Sequence, residues 1–218
     1  MRFEEVLRLT RENPIFETSL LLAGPKNPQY VRTQLSRWVR AGKLHLLRRG
    51  LYLIAEPYRA TTPHPFKVAN LLVQPSYVSL QAALAYYNLI PEHVPNITSV
   101  TVKRPGSYHT PLGWFSFRHI QRALFWGYVQ VDVDGPAFVW VAKPEKALLD
   151  LLYLTPRSDQ PTFLEELRLQ HWEQLNIQRL WSWAQRMRSK KVERAVRHLR
   201  RMFRANTTER VEFGKAEG

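Results

Sequence analysis

Six side chains within nine residues, Gln29, Tyr30, Arg32, Thr33, Ser36 and Arg37, carry donors and acceptors that suit base edges. Arg is the strongest of these for guanine, because its planar fork matches O6 and N7 together. Around them stand Lys26, Arg40, Lys43, Arg48 and Arg49, cations of the kind that meet phosphate oxygens. A second basic run lies far along the chain. Residues 186–204 hold nine Lys or Arg against the single acid Glu193. Arg186, Arg188, Lys190, Lys191, Arg194, Arg197, Arg201 and Arg204 form a second basic surface there, which reads equally as a solvated helix face.

The search for catalytic chemistry finds no convergent set. None of the seven histidines (His45, His64, His93, His109, His119, His171, His198) pairs with another at ligand spacing with a third group nearby. Cysteine is absent, which excludes disulfides, thiolate nucleophiles and Cys-ligated zinc. No GxxxxGK[ST], GxGxxG or GxSxG occurs. Asp132, Asp134, Glu145 and Asp150 surround a predicted strand as metal-dependent nuclease ligands would. That arrangement needs an acid two residues before Lys143, and Val141 stands there. Asp134 suits a turn, Glu145 a helix dipole, and Lys146 or Arg157 is a partner for Asp150. The expectation is a non-enzyme with no cofactor and no metal.

The elements that must position these groups are legible from period and punctuation. Phe3, Val6 and Leu7 recur at helical spacing until Asn13-Pro14. Thr18 or Ser19 caps a short helix of Leu20 to Ala23, closed by Gly24-Pro25. Asn27 with Pro28 behind it starts a third helix, in which Val31, Leu35, Trp38 and Val39 form one apolar stripe. Gly42 ends it. Residues 44–47, the turn Arg48-Arg49-Gly50 and residues 51–54 then read as a strand, a cationic turn and a strand. This order predicts a winged helix-turn-helix, with the third helix in the major groove and the hairpin on the backbone.

Beyond the Pro-rich residues 61–65, Ser79 caps a helix ending at Asn88. Alternating runs predict strands at 97–102, 113–120 and 128–133, and Asp134-Gly135 turns into a buried strand at 137–141. Pro144 opens a helix that is apolar nearly all round. Two or three helices follow, with Ile177, Leu180, Trp181 and Ala184 aligned in one, and Val192, Val196, Leu199 and Phe203 packing inward in the last. The fold class expected is α+β: a winged helix-turn-helix domain over 1–62, then a mixed α/β body over 63–218 with at least four strands and basic C-terminal helices (158–218).

Charge agrees with a polyanionic partner. The 218 residues carry 32 Lys or Arg and 18 Asp or Glu, a net charge of +14. It splits as +6 over 1–62, +3 over 63–157 and +5 over 158–218, so the excess sits at both ends. No long uncharged apolar run occurs, so the chain reads as cytoplasmic, with no membrane contact.

Four stretches, RTQLSRWVRAGKLHLLRRGLY (32–52), YVSLQAALAYYNLIPE (77–92), ITSVTVKRPGSYHTPLGWFSFRHI (97–120) and VAKPEKALLDLLYL (141–154), together resemble the AbiEi-type antitoxins. These are the transcriptional-regulator halves of abortive-infection (type IV) toxin–antitoxin pairs. The resemblance implies a repressor that binds inverted repeats in the promoter of its own operon, and a C-terminal domain that opposes a nucleotidyltransferase-like toxin. After about residue 160 the match fades. The residues themselves leave other readings open: a general nucleic-acid or tRNA-binding protein using 186–204, a DNA nuclease, or a nucleotidyltransferase. No heptad of apolar residues offers a dimerisation seam, so the chain is expected to be a monomer in solution, paired only on double-stranded DNA.

Overall fold

Asn27 fulfils its position ahead of Pro28: its side chain accepts the N–H groups of Gln29 (2.9 Å) and Tyr30 (3.5 Å) and so starts a helix over Pro28–Arg40. Val31, Leu35 and Trp38 on its inner stripe are buried. The computed structural model describes residues 1–23, 27–92, 94–133 and 138–216, with 205–216 by their backbone alone. The expected turns at Gly24-Pro25 and Asp134-Gly135, together with Lys26, His93 and Ala137, lie outside the described residues.

The first elements are α1 (Phe3–Leu9), β1 (Ile15–Glu17), α2 (Thr18–Leu22), α3 (Pro28–Arg40), β2 (Leu44–Arg48) and β3 (Leu51–Ile54). The three strands form an antiparallel sheet in the order β1-β3-β2. Phe3, Val6, Phe16, Leu21, Val31, Leu35, Trp38, Leu44 and Ile54 make its core with α1 and α3. β1 was too short for a period to reveal it. Thr18 lies inside α2 instead of capping it, because its hydroxyl donates to the carbonyl of Gly50 (3.3 Å) and ties the start of α2 to the β2–β3 turn.

The remaining chain runs α4 (Pro65–Leu72), β4 (Ser76–Val78), α5 (Leu80–Tyr86), β5 (Asn96–Thr101), β6 (Gly106–Thr110), β7 (Gly113–His119), β8 (Tyr128–Asp132), β9 (Phe138–Ala142), α6 (Pro144–Leu154), α7 (Pro161–Glu166), α8 (Ile177–Arg186) and α9 (Lys190–Ala216). A six-stranded sheet has the order β6-β7-β5-β4-β9-β8. Within it β4–β9 and β5–β7 are parallel and the other pairs antiparallel. The chain is therefore α+β, with more strands in the body than the alternating runs disclosed. Among the described residues no helix is long and apolar enough to cross a membrane.

Two local expectations are corrected. Ser79 stands at the start of α5 but does not cap it, since its hydroxyl donates to Asp150 (2.8 Å). Thr98 accepts the Ala82 N–H in its place (3.2 Å). The strand expected as buried over 137–141 is one-sided: Val139 and Val141 are buried, whereas Phe138 is 63% and Trp140 40% exposed. An unbroken apolar run cannot distinguish these two cases. The module and the body also share a core, because Ile15, Leu47, Leu51 and Leu53 pack into the larger hydrophobic cluster.

Candidate nucleic-acid interface

With its inner stripe pinned, α3 turns Gln29, Tyr30, Arg32, Thr33, Ser36, Arg37 and Arg40 outward, and all seven are exposed. Arg32 and Arg37 lie five residues apart, about 140° around the helix. They therefore border the outer arc, with Gln29, Thr33, Ser36 and Arg40 between them. The Thr33 hydroxyl donates to the Gln29 carbonyl (2.9 Å), which leaves its lone pairs for a partner. Tyr30 is anchored differently, since its hydroxyl accepts from the N-terminal ammonium at 3.2 Å. Arg32, Arg37 and Arg40 make no ion pair among the described residues.

The hairpin cations divide. Arg49 is exposed at the β2–β3 turn, beside Gly50, whose φ of +82° suits glycine and closes the hairpin tightly. Arg48 is turned inward. Its guanidinium pairs with Glu17 (3.1 Å) and donates twice to the Leu71 carbonyl (3.4 and 3.2 Å) at the end of α4. These bonds tie the hairpin to the body. Lys43 is half-buried, with its ammonium 5.0 Å from the centre of the Phe3 ring. The two arginines should therefore respond differently to replacement. Arg49→Ala is expected to weaken binding to all DNA sequences alike and to lower the salt slope by about 1, with thermal stability unchanged. Arg48→Ala is expected to lower the melting temperature; equal melting of the two variants would refute that division.

The second basic surface is thinner than its sequence. Lys191 donates to the carbonyls of Tyr153 (2.8 Å) and Thr155 (2.7 Å), capping the end of α6, and burial pushes its ammonium pKa down. Arg194 pairs with Asp159 (2.7 Å), whose carboxyl that guanidinium holds below the usual range. Lys191 is thereby half-buried, whereas Arg194 stays exposed beside its carboxylate partner. Arg186 stacks over Trp126 (4.3 Å), and Arg197 lies 6.0 Å from the Trp181 ring. Arg188, Lys190, Arg201 and Arg204 are exposed. The inward side of the same helix is firmly packed, with Val192, Val196, Leu199 and Phe203 buried.

The carboxylates weighed as nuclease ligands do not converge. Asp132 is exposed on β8, and Glu145 accepts the Asn176 N–H (2.8 Å) with Arg179 at 3.5 Å. Asp150 is fully buried and paired with Lys146. Asp134 lies outside the described residues. Periodicity did not reveal the group around Asp150, which accepts hydrogen bonds from Ser79 (2.8 Å) and Tyr77 (3.0 Å), while Lys146 also donates to Tyr77 (2.9 Å). The available signal was a Lys and an Asp four residues apart in an otherwise apolar helix. Among the described residues no three His, Asp or Glu side chains are grouped to hold a metal. Compared with known protein families and curated proteins, the chain matches no family model and no curated protein, so its functional reading rests on the exposed face of α3.

Proposed function

We propose that this chain is a sequence-specific DNA-binding transcriptional repressor of the antitoxin kind, without catalytic activity of its own. In this reading α1 to β3 form a winged helix-turn-helix, α3 enters the major groove and Arg49 on the hairpin meets the backbone. The observation that carries it is the outer arc of α3: hydrogen-bonding and cationic side chains on a helix held rigidly by Val31, Leu35 and Trp38. The net charge of +14 supports a polyanionic partner. The resemblance to the AbiEi-type antitoxins supports autoregulation of a toxin–antitoxin operon and opposition to a nucleotidyltransferase-like toxin.

Footprinting on the DNA upstream of the chain's own gene tests the reading. The expected result is protection of an inverted repeat that survives excess unrelated competitor DNA. Equal retention of scrambled DNA would instead favour a general nucleic-acid binder. Sedimentation supplies a companion measurement. The cations of α9 make two free copies repel, so a monomer is expected at micromolar concentration and two copies on a duplex carrying two repeats. A stable dimer without DNA would overturn that expectation.

A further inference from the structure

A cavity of about 630 Å³ opens between α4, β4 and the β8–β9 pair, within the range of small-molecule sites. Four aromatic rings, Phe125, Tyr128, Phe138 and Trp140, line it, together with Lys67 and Ser76. Tyr128 meets Phe125 at 5.2 Å and Trp140 edge-on at 5.4 Å, which holds the ring wall in place. The two walls are fastened to each other. Asn70 on α4 accepts the Trp140 N–H (2.6 Å) and donates to the Trp140 carbonyl (3.4 Å), so the cavity is preformed.

Two observations give its ligand a chemistry. The exposed faces of Phe138 and Trp140 favour a planar ring. Lys67 makes no ion pair among the described residues, and its ammonium favours an anion. We propose that this cavity is a binding site for a planar aromatic carboxylic acid. Leu71, whose carbonyl holds Arg48, lines the same cavity. A ligand seated there thus touches the helix on which the β2–β3 hairpin is anchored.

Calorimetric titration of the full chain with 2-naphthoate, and with the neutral 2-naphthamide, tests the proposal without any DNA, so its outcome is independent of the DNA-binding reading. For a ligand of this size a dissociation constant of roughly 10 µM to 1 mM is expected, with the amide about tenfold weaker. Lys67→Gln, a change at a half-buried surface position, should abolish the preference for the acid while leaving amide binding unchanged. Trp140→Ala should weaken both ligands about tenfold. Absence of saturable binding, equal affinity of the parent for acid and amide, or unchanged 2-naphthoate affinity in Lys67→Gln would each overturn the proposal.

Discussion

Arg32→Ala and Arg37→Ala are each expected to weaken binding to the cognate DNA by about 1–3 kcal/mol and to relax preference at particular base positions. The effect follows from placement. Both side chains are exposed at the two borders of the outer arc of α3, and neither is neutralised by a carboxylate among the described residues. A guanidinium there can reach inward over Gln29 or Thr33 to a guanine edge, where two parallel hydrogen bonds discriminate one base from the others. Because neither side chain packs in the core, the thermal melting of both variants should match the parent. Binding selections on randomised duplexes would read the change in preference. A uniform loss across all sequences would assign the two arginines to the phosphate backbone.

The largest stability effect is expected at Asp150. Asp150 and Lys146 are both fully buried, and burial pushes the carboxyl pKa up and the ammonium pKa down. Each charge is tolerated there because of the other and because of Tyr77 and Ser79. Gly127 closes over the Lys146 stem: a Cβ at that position, with φ +78°, would lie 3.1–3.2 Å from three of its carbons. Asp150→Ala leaves a buried ammonium with no counter-charge and should cost about 3–5 kcal/mol in urea unfolding. Lys146→Met combined with Asp150→Leu removes both charges and should recover most of that loss, since neither ion then has to be desolvated.

The pH dependence has a definite sign. As pH rises through the ordinary carboxyl value of 3.8, the unfolded chain releases the Asp150 proton while the folded chain retains it, so this site's contribution to stability falls. For Lys146, lowered from 10.5, the unfolded chain holds its proton longer, and the contribution rises again with pH as that value is approached. The stability of the parent relative to the double variant should therefore decline from about pH 3 to about pH 6. A rising difference across that interval would mean that the pair is better solvated than its burial indicates.

Much of α3 was legible in the residues alone. Asn27 and Pro28 specify its start, the Val31, Leu35 and Trp38 stripe specifies which face is buried, and Arg49-Gly50 specifies a cationic turn. The runs at 113–119 and 128–132 alternate as half-buried strands must. These are consequences of backbone period and local hydrogen bonding, which act within a few residues and leave a direct pattern in the chain. The three residues of β4 have no such pattern, yet they lie between β5 and β9 near the middle of the larger sheet. Arg48 looked identical to Arg49 until the fold brought Glu17 and the Leu71 carbonyl to it from 31 and 23 residues away. Asp150 likewise acquires Tyr77 and Ser79 across 73 and 71 residues. Such partners are selected by the docking of whole elements, whose apolar faces must find one another before the polar groups between them can pair. Local pattern therefore specifies the shape and outward chemistry of α3, while the docking of distant elements selects which cations face solvent and which hold the protein together.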